Sequence, residues 1–147
     1  IRYEDVVDFA NTRLGYSTRW GPRIRYRFGR HLLLDIGHQY QDFESNSANL
    51  FTANLTDIRA TYQFDSRSFL RLTVQYEDRE RNKDNYIFPV DGRTRELGTQ
   101  LLYSYRVNAA TRFFIGYSDT GFEDDRYSSL EYTNRTFFAK FSYAWQP

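Results

Sequence analysis

The sequence predicts an all-β protein, an antiparallel up-and-down transmembrane β-barrel, and three observations carry that expectation. Apolar and polar residues alternate with a period of two over long segments, as side chains do on the two faces of a strand. Short and long connections between those segments take turns along the chain, the layout of outer-membrane barrels. The 147 residues are 27% charged and 19% aromatic, with 13 Tyr, 13 Phe and 2 Trp. A chain that polar and that aromatic has to sort the two kinds of residue onto different faces.

The clearest segment spans residues 13–28. Its even positions include Leu14, Tyr16, Trp20, Ile24, Tyr26 and Phe28, and its odd positions hold Arg13, Arg19, Arg23, Arg25 and Arg27. Pro22 cannot donate to a ladder, so a kink is expected at Gly21-Pro22. A second strand, near 31–43, sets Leu32, Leu34, Ile36 and Tyr40 against Asp35, Gly37, Gln39 and Gln41. Ile58, Ala60, Tyr62 and Phe64 then alternate with Asp57, Arg59 and Thr61, and Leu70, Leu72, Val74 and Tyr76 with Arg71, Thr73, Gln75 and Glu77. Leu97, Thr99, Leu101, Tyr103 and Tyr105 oppose Glu96, Gly98, Gln100, Leu102, Ser104 and Arg106, while Phe113, Ile115 and Tyr117 oppose Arg112, Phe114, Gly116 and Ser118. The last strand sets Phe137, Ala139, Phe141, Tyr143 and Trp145 against Thr136, Phe138, Lys140, Ser142 and Ala144. These make seven strands. Residues 1–9, with Ile1, Tyr3, Val7 and Phe9 on one face, offer an eighth that Asp5 interrupts.

Tight connections are expected at 29–30, 65–67 and 108–110, and long polar ones at 44–51, 78–93 and 119–130. The strands run to about 11–16 residues, whereas strands of soluble proteins cluster near ~5–6 and a tilted membrane-spanning strand needs ~9–11. On this reading the polar face lines a lumen with Arg19, Arg23, Arg25, Arg27, Asp35, Asp57, Arg59, Arg71, Glu77, Glu96 and Arg106. Trp20, Leu34, Ile36, Tyr62, Leu72, Val74, Tyr103, Ile115, Phe141, Tyr143 and Trp145 face lipid. The lumen charges serve either a selective path for solutes or a network of ion pairs that satisfies enclosed charge.

Composition excludes several classes. A net charge of +1 lacks the basic excess of a protein that holds nucleic acid by bulk electrostatics. Without cysteine there are no disulfides, thiolate metal sites or thiol nucleophiles. The longest aliphatic run is Leu32-Leu33-Leu34, far short of a membrane helix. Of the basic residues 18 are Arg and only Lys83 and Lys140 are Lys, and guanidinium groups pair carboxylates through a rigid fork. His31 falls at a turn and His38 on the lipid-facing side, with no second histidine at ligand spacing. No hydrolase constellation, phosphate loop or zinc spacing is present. The acidic stretch 119–125 lacks EF-hand spacing and is expected as a solvated loop. Tyr86, Phe88, Phe122 and Tyr127 in the long connections are expected to pack within their loops rather than to stack on sugars or a partner.

Residues 105–108 (Tyr-Arg-Val-Asn), 113–119 (FFIGYSD), 134–145 (NRTFFAKFSYAW) and 64–76 (FDSRSFLRLTVQY) carry a family resemblance. Over residues 55–147 the chain resembles the C-terminal barrel of a family of large exported bacterial proteins. Its members place an N-terminal domain similar to family-nine carbohydrate-binding modules before an outer-membrane β-barrel. The resemblance implies a C-terminal barrel segment, and the odd count of seven strands leans towards missing strands rather than an eight-stranded closure by residues 1–9. The expectation is therefore one barrel domain or barrel segment over 1–147 in the bacterial outer membrane. It acts as a non-enzymatic pore or anchor with no cofactor or metal, and its partners are outer-membrane lipid and further strands or subunits. The alternative is a soluble β-barrel or sandwich that binds a ligand or a partner protein.

Overall fold

The structure, a computed structural model, describes residues 1–8, 13–45 and 48–144. Nine strands form one antiparallel sheet: β1 (Arg2–Asp8), β2 (Arg13–Trp20), β3 (Arg23–Phe28), β4 (Leu32–Ser45), β5 (Ala48–Gln63), β6 (Ser68–Arg81), β7 (Arg93–Arg106), β8 (Thr111–Asp124) and β9 (Tyr127–Tyr143). Each pairs with its neighbours in sequence except β2 and β3, which do not pair with each other but lie end to end along β4, so nine strands fill eight positions. Their break is at Gly21-Pro22, where the His38 amide still reaches the Pro22 carbonyl at 3.0 Å. One strand bends there because proline has no amide to give. Residues 1–8 do supply a strand, paired with β2. The sheet is up-and-down but open, since β1 and β9 pair with nothing beyond β2 and β8 among the described residues.

Two of the expected long loops are largely strand. Residues 44–51 belong to β4 and β5 apart from 46–47, which lie outside the described residues. Residues 119–130 are β8 and β9 joined by a turn at Asp125 and Arg126, so the acidic stretch 119–125 is mostly strand rather than loop. Polar residues on both faces hid these extensions, because a ladder is made by backbone groups that do not depend on side-chain polarity. Only 82–92 remains long, and it carries a short 3-10 helix, Lys83–Asn85, capped by the Asn82 side chain.

The register shows how the faces are built. On one face lie successive rows such as Tyr26, Leu34, Ala60, Leu72, Leu101, Tyr117, Phe137 and Phe28, Leu32, Tyr62, Leu70, Tyr103, Ile115, Ala139. The opposite face carries rows such as Arg25, Asp35, Arg59, Thr73, Gln100, Ser118, Thr136. Among the described residues only Phe43 and Leu50 are buried hydrophobics, whereas Ile24 (65%), Phe137 (80%) and Phe141 (67%) stand exposed. Leu50 is the extra residue of a bulge between β4 and β5, turned inward at the hairpin tip.

At the short-turn end, Gly29 adopts φ +59, which a residue without Cβ reaches at no steric cost. The next short turn is closed by Asp65, whose Oδ1 accepts from the Arg67 amide (2.6 Å), the Ser68 amide (2.8 Å) and the Ser68 hydroxyl (3.1 Å). Those amides hold its carboxyl below the usual carboxylate range.

Candidate functional site

The two faces are the candidate site, and each changes character along the strands. On the apolar face the band is bounded on the far side by a row of Trp20, Tyr40, Asn54, Asp78, Arg95 and Glu123. Ion pairs run across that row: Arg93 to Asp78 (2.6 Å), Arg95 to Asp78 (3.8 Å) and Arg95 to Glu123 (2.7 Å). At the short-turn side aromatic rings meet edge to face, Tyr26 with Phe28 at 4.4 Å, Tyr62 with Phe64 at 5.0 Å and Phe64 with Tyr103 at 6.4 Å. The band crosses the rows obliquely. The row that is Ile24, Ile36, Ile58 and Val74 on β3–β6 becomes Asp119 and Arg135 on β8 and β9, and the band there continues instead to Phe113, Phe141 and Tyr143.

The register puts the residues expected to line a lumen, Arg19, Arg23, Arg25, Arg27, Asp35, Asp57, Arg59, Arg71, Glu77, Glu96 and Arg106, together on the polar face. Those expected to meet lipid share the other face, except Trp145, which lies outside the described residues, as does Phe9. Asp35 is the hub of the polar face: Arg25 Nε donates to its Oδ2 at 2.8 Å, Arg25 Nη2 lies at 2.6 Å, and Arg23 faces its Oδ1 at 3.6 Å. Arg23 also reaches Asp57 at 3.8 Å. Gly37 makes room for this, since a Cβ there would stand 3.1 Å from Arg23 Nη2.

Residues 82–92 fold against the polar face at the far end. They border an open pocket of about 590 Å³ whose walls include Glu77, Arg79, Glu96 and Phe122 from the strands and Tyr86 and Phe88 from the loop. Tyr86 and Phe88 meet edge to face at 6.1 Å. The loop is tied to two hairpin tips. Asn85 Nδ2 donates to the Asn49 carbonyl (2.8 Å) and the Asn82 amide to the Leu50 carbonyl (3.0 Å). On the other side Asp125 pairs with Lys83 at 2.5 Å and accepts from the amides of Gly92 (2.7 Å) and Arg93 (3.1 Å). The Lys83 ammonium and these amides pull the Asp125 carboxyl down to about 2, and Asp125 raises Lys83 in turn. Sequence reasoning missed this tether, because nothing local marks Asp125 as the partner of a turn 33 residues away.

His31 Nδ1 donates to the Gln63 carbonyl (2.7 Å) and its ring stacks on Tyr62, while His38 pairs with the Thr56 hydroxyl (3.0 Å) beside Trp20. Among the described residues no group of three or more His, Cys, Asp or Glu is placed to hold a metal ion, and no helix is long and apolar enough to cross a membrane. Compared with protein-family models, with curated proteins and with solved structures, the chain matches none.

Proposed function

We propose that this chain is a membrane-spanning wall of a bacterial outer-membrane β-barrel, with its apolar face to lipid and its charged face inward, and that it acts as a non-enzymatic pore or anchor. One observation carries the reading: an apolar band runs unbroken across β3–β9, bounded by polar residues and covered by no other part of the described chain. Water-soluble proteins rarely leave so large a contiguous apolar surface open.

The dimensions agree. On β7 the outward positions Leu97 to Tyr105 span about 26 Å along the strand at ~3.3 Å per residue, or about 20 Å of height at a ~40° tilt, of the order of the ~25 Å apolar band of such barrels. The oblique course of the band fits strands tilted against a flat slab. Hydrocarbon leaves no unpaired backbone group unpunished, so the free edges of β1 and β9 need strand partners in the membrane, whether each other, further strands or another copy.

The test is vesicle flotation of the purified protein, with gel mobility compared before and after boiling. Co-flotation through alkaline carbonate together with a heat-dependent mobility shift is expected. A monodisperse protein that stays in solution without detergent and leaves vesicles behind rejects the membrane reading and supports a soluble binding module.

A further inference from the structure

Charge on the polar face is unevenly divided along the strands. Towards the long-loop end cations and carboxylates alternate: Arg19 pairs with Glu4 at 2.8 Å and Arg79 with Glu77 at 2.5 Å, and Glu96 and Glu131 stand nearby in register. From the level of Gly37 to the short turns, Asp35 and Asp57 are the only carboxylates on this face among the described residues, and Arg23 and Arg25 already engage them. The same half holds Arg27, Arg59, Arg71, Arg106, Arg112 and Lys140.

None of those six has a carboxylate within ion-pair distance among the described residues. Arg71 donates to the Thr61 hydroxyl (3.3 Å) and lies over the Phe69 ring, and Arg106 donates to the Ser66 carbonyl (2.6 Å). Those contacts satisfy donors without cancelling charge. Arg106 and Arg112 stand directly opposite across β7 and β8, a like-charge pairing that costs stability unless an anion comes between.

We propose that this basic half is an anion-selecting surface, which draws small oxyanions such as phosphate, or the carboxylates of small acids, to the short-turn mouth of the barrel. Guanidinium forks suit both chemistries, and a charged cleft with low-dielectric walls concentrates counter-ions. The proposal rests on the polar face being the barrel interior.

The test uses the full-length protein that carries this chain, reconstituted in planar bilayers under a potassium chloride gradient. The reversal potential is expected to show chloride passing at least about threefold more readily than potassium. An Arg27→Glu, Arg71→Glu, Arg112→Glu variant that keeps the heat-dependent mobility should bring that ratio to about one or below. The corresponding triple Gln variant, which adds no new charge, should fall between and serves if the Glu variant does not fold. Channels that are unselective or prefer cations overturn the proposal and leave the membrane reading standing. If the protein inserts without current, or never enters the bilayer, equilibrium dialysis against inorganic phosphate at physiological ionic strength decides. Retention by the parent and loss in the variant supports the anion surface, and no retention by the parent overturns it. Failure to insert counts separately, against the membrane reading alone.

Discussion

Gly116 sits opposite Phe138 on the polar face, and a Cβ built there would lie 2.2 Å from the phenyl ring. The ring closes over the bare backbone, as aromatic residues do across strands from glycine. Gly116→Val is expected to push the ring off and lower unfolding stability in detergent by about 1–3 kcal/mol. Gly98→Ala, on the same face with nothing within 4 Å of its Cβ, should shift it by less than about 0.5 kcal/mol. Equal losses in the two variants would show that the Phe138 contact is not the cause. A second residue-scale expectation concerns Asp125. Its carboxyl is depressed and Lys83 is raised, so the tether contributes fully above the ordinary aspartate range near pH 4 and weakens as the pH falls towards about 2. At the alkaline end it persists to the ordinary lysine value near pH 10 and is lost as the pH rises through the raised one. Asp125→Asn at neutral pH should therefore speed hydrogen exchange at the Gly92 and Arg93 amides, and unchanged exchange there would remove Asp125 as their anchor.

For a single strand the decisive comparison is between neighbours on β4. Leu34 belongs to the apolar band, between Tyr26 and Ala60, while Leu33 lies on the polar face between Arg27 and Thr61. Leu34→Arg is expected to cost ~2–4 kcal/mol of bilayer stability if the band meets lipid, and Leu33→Gln far less. Equal costs in a urea titration from vesicles would mean that the two faces see the same medium. The period-two pattern made β3, β4, β6 and their face assignments legible in the sequence, because one face is apolar there from turn to mid-strand. The same pattern hid the far halves of β8 and β9. Asp119, Glu123 and Arg135 sit on the face that is apolar lower down, so polarity on both faces read as loop although the backbone ladder runs on. The kink at Pro22 was visible because proline announces a missing donor. The Asp125 tether and the opposition of Arg106 to Arg112 were not, since both depend on register between strands rather than on any local spacing.

Across the whole molecule the two ends of the sheet are built differently. The short turns at 29–31, 64–67 and 107–110 each bond to the segment next along the sheet, through Gln63, Arg106 and Ala144, while at the other end residues 82–92 join the tips of the β4–β5 and β8–β9 hairpins. Limited proteolysis of vesicle-inserted protein should accordingly find 82–92 resistant in the parent and cut in a Lys83→Ala, Asp125→Ala variant; a loop cut equally in both would show that the tether does not order it. Resistance would also mean that the pocket behind Tyr86 and Phe88 has a wall of fixed shape.

The pairing scheme has a kinetic consequence. Every ladder except that of β2 with β4, which skips β3, joins strands consecutive in the chain, so few pairings have to wait for a distant partner. Such a sheet can be laid down one hairpin after another, each new strand templated on the last. The loss of its first strand removes a single ladder, that with β2, and leaves the order of the remaining strands intact.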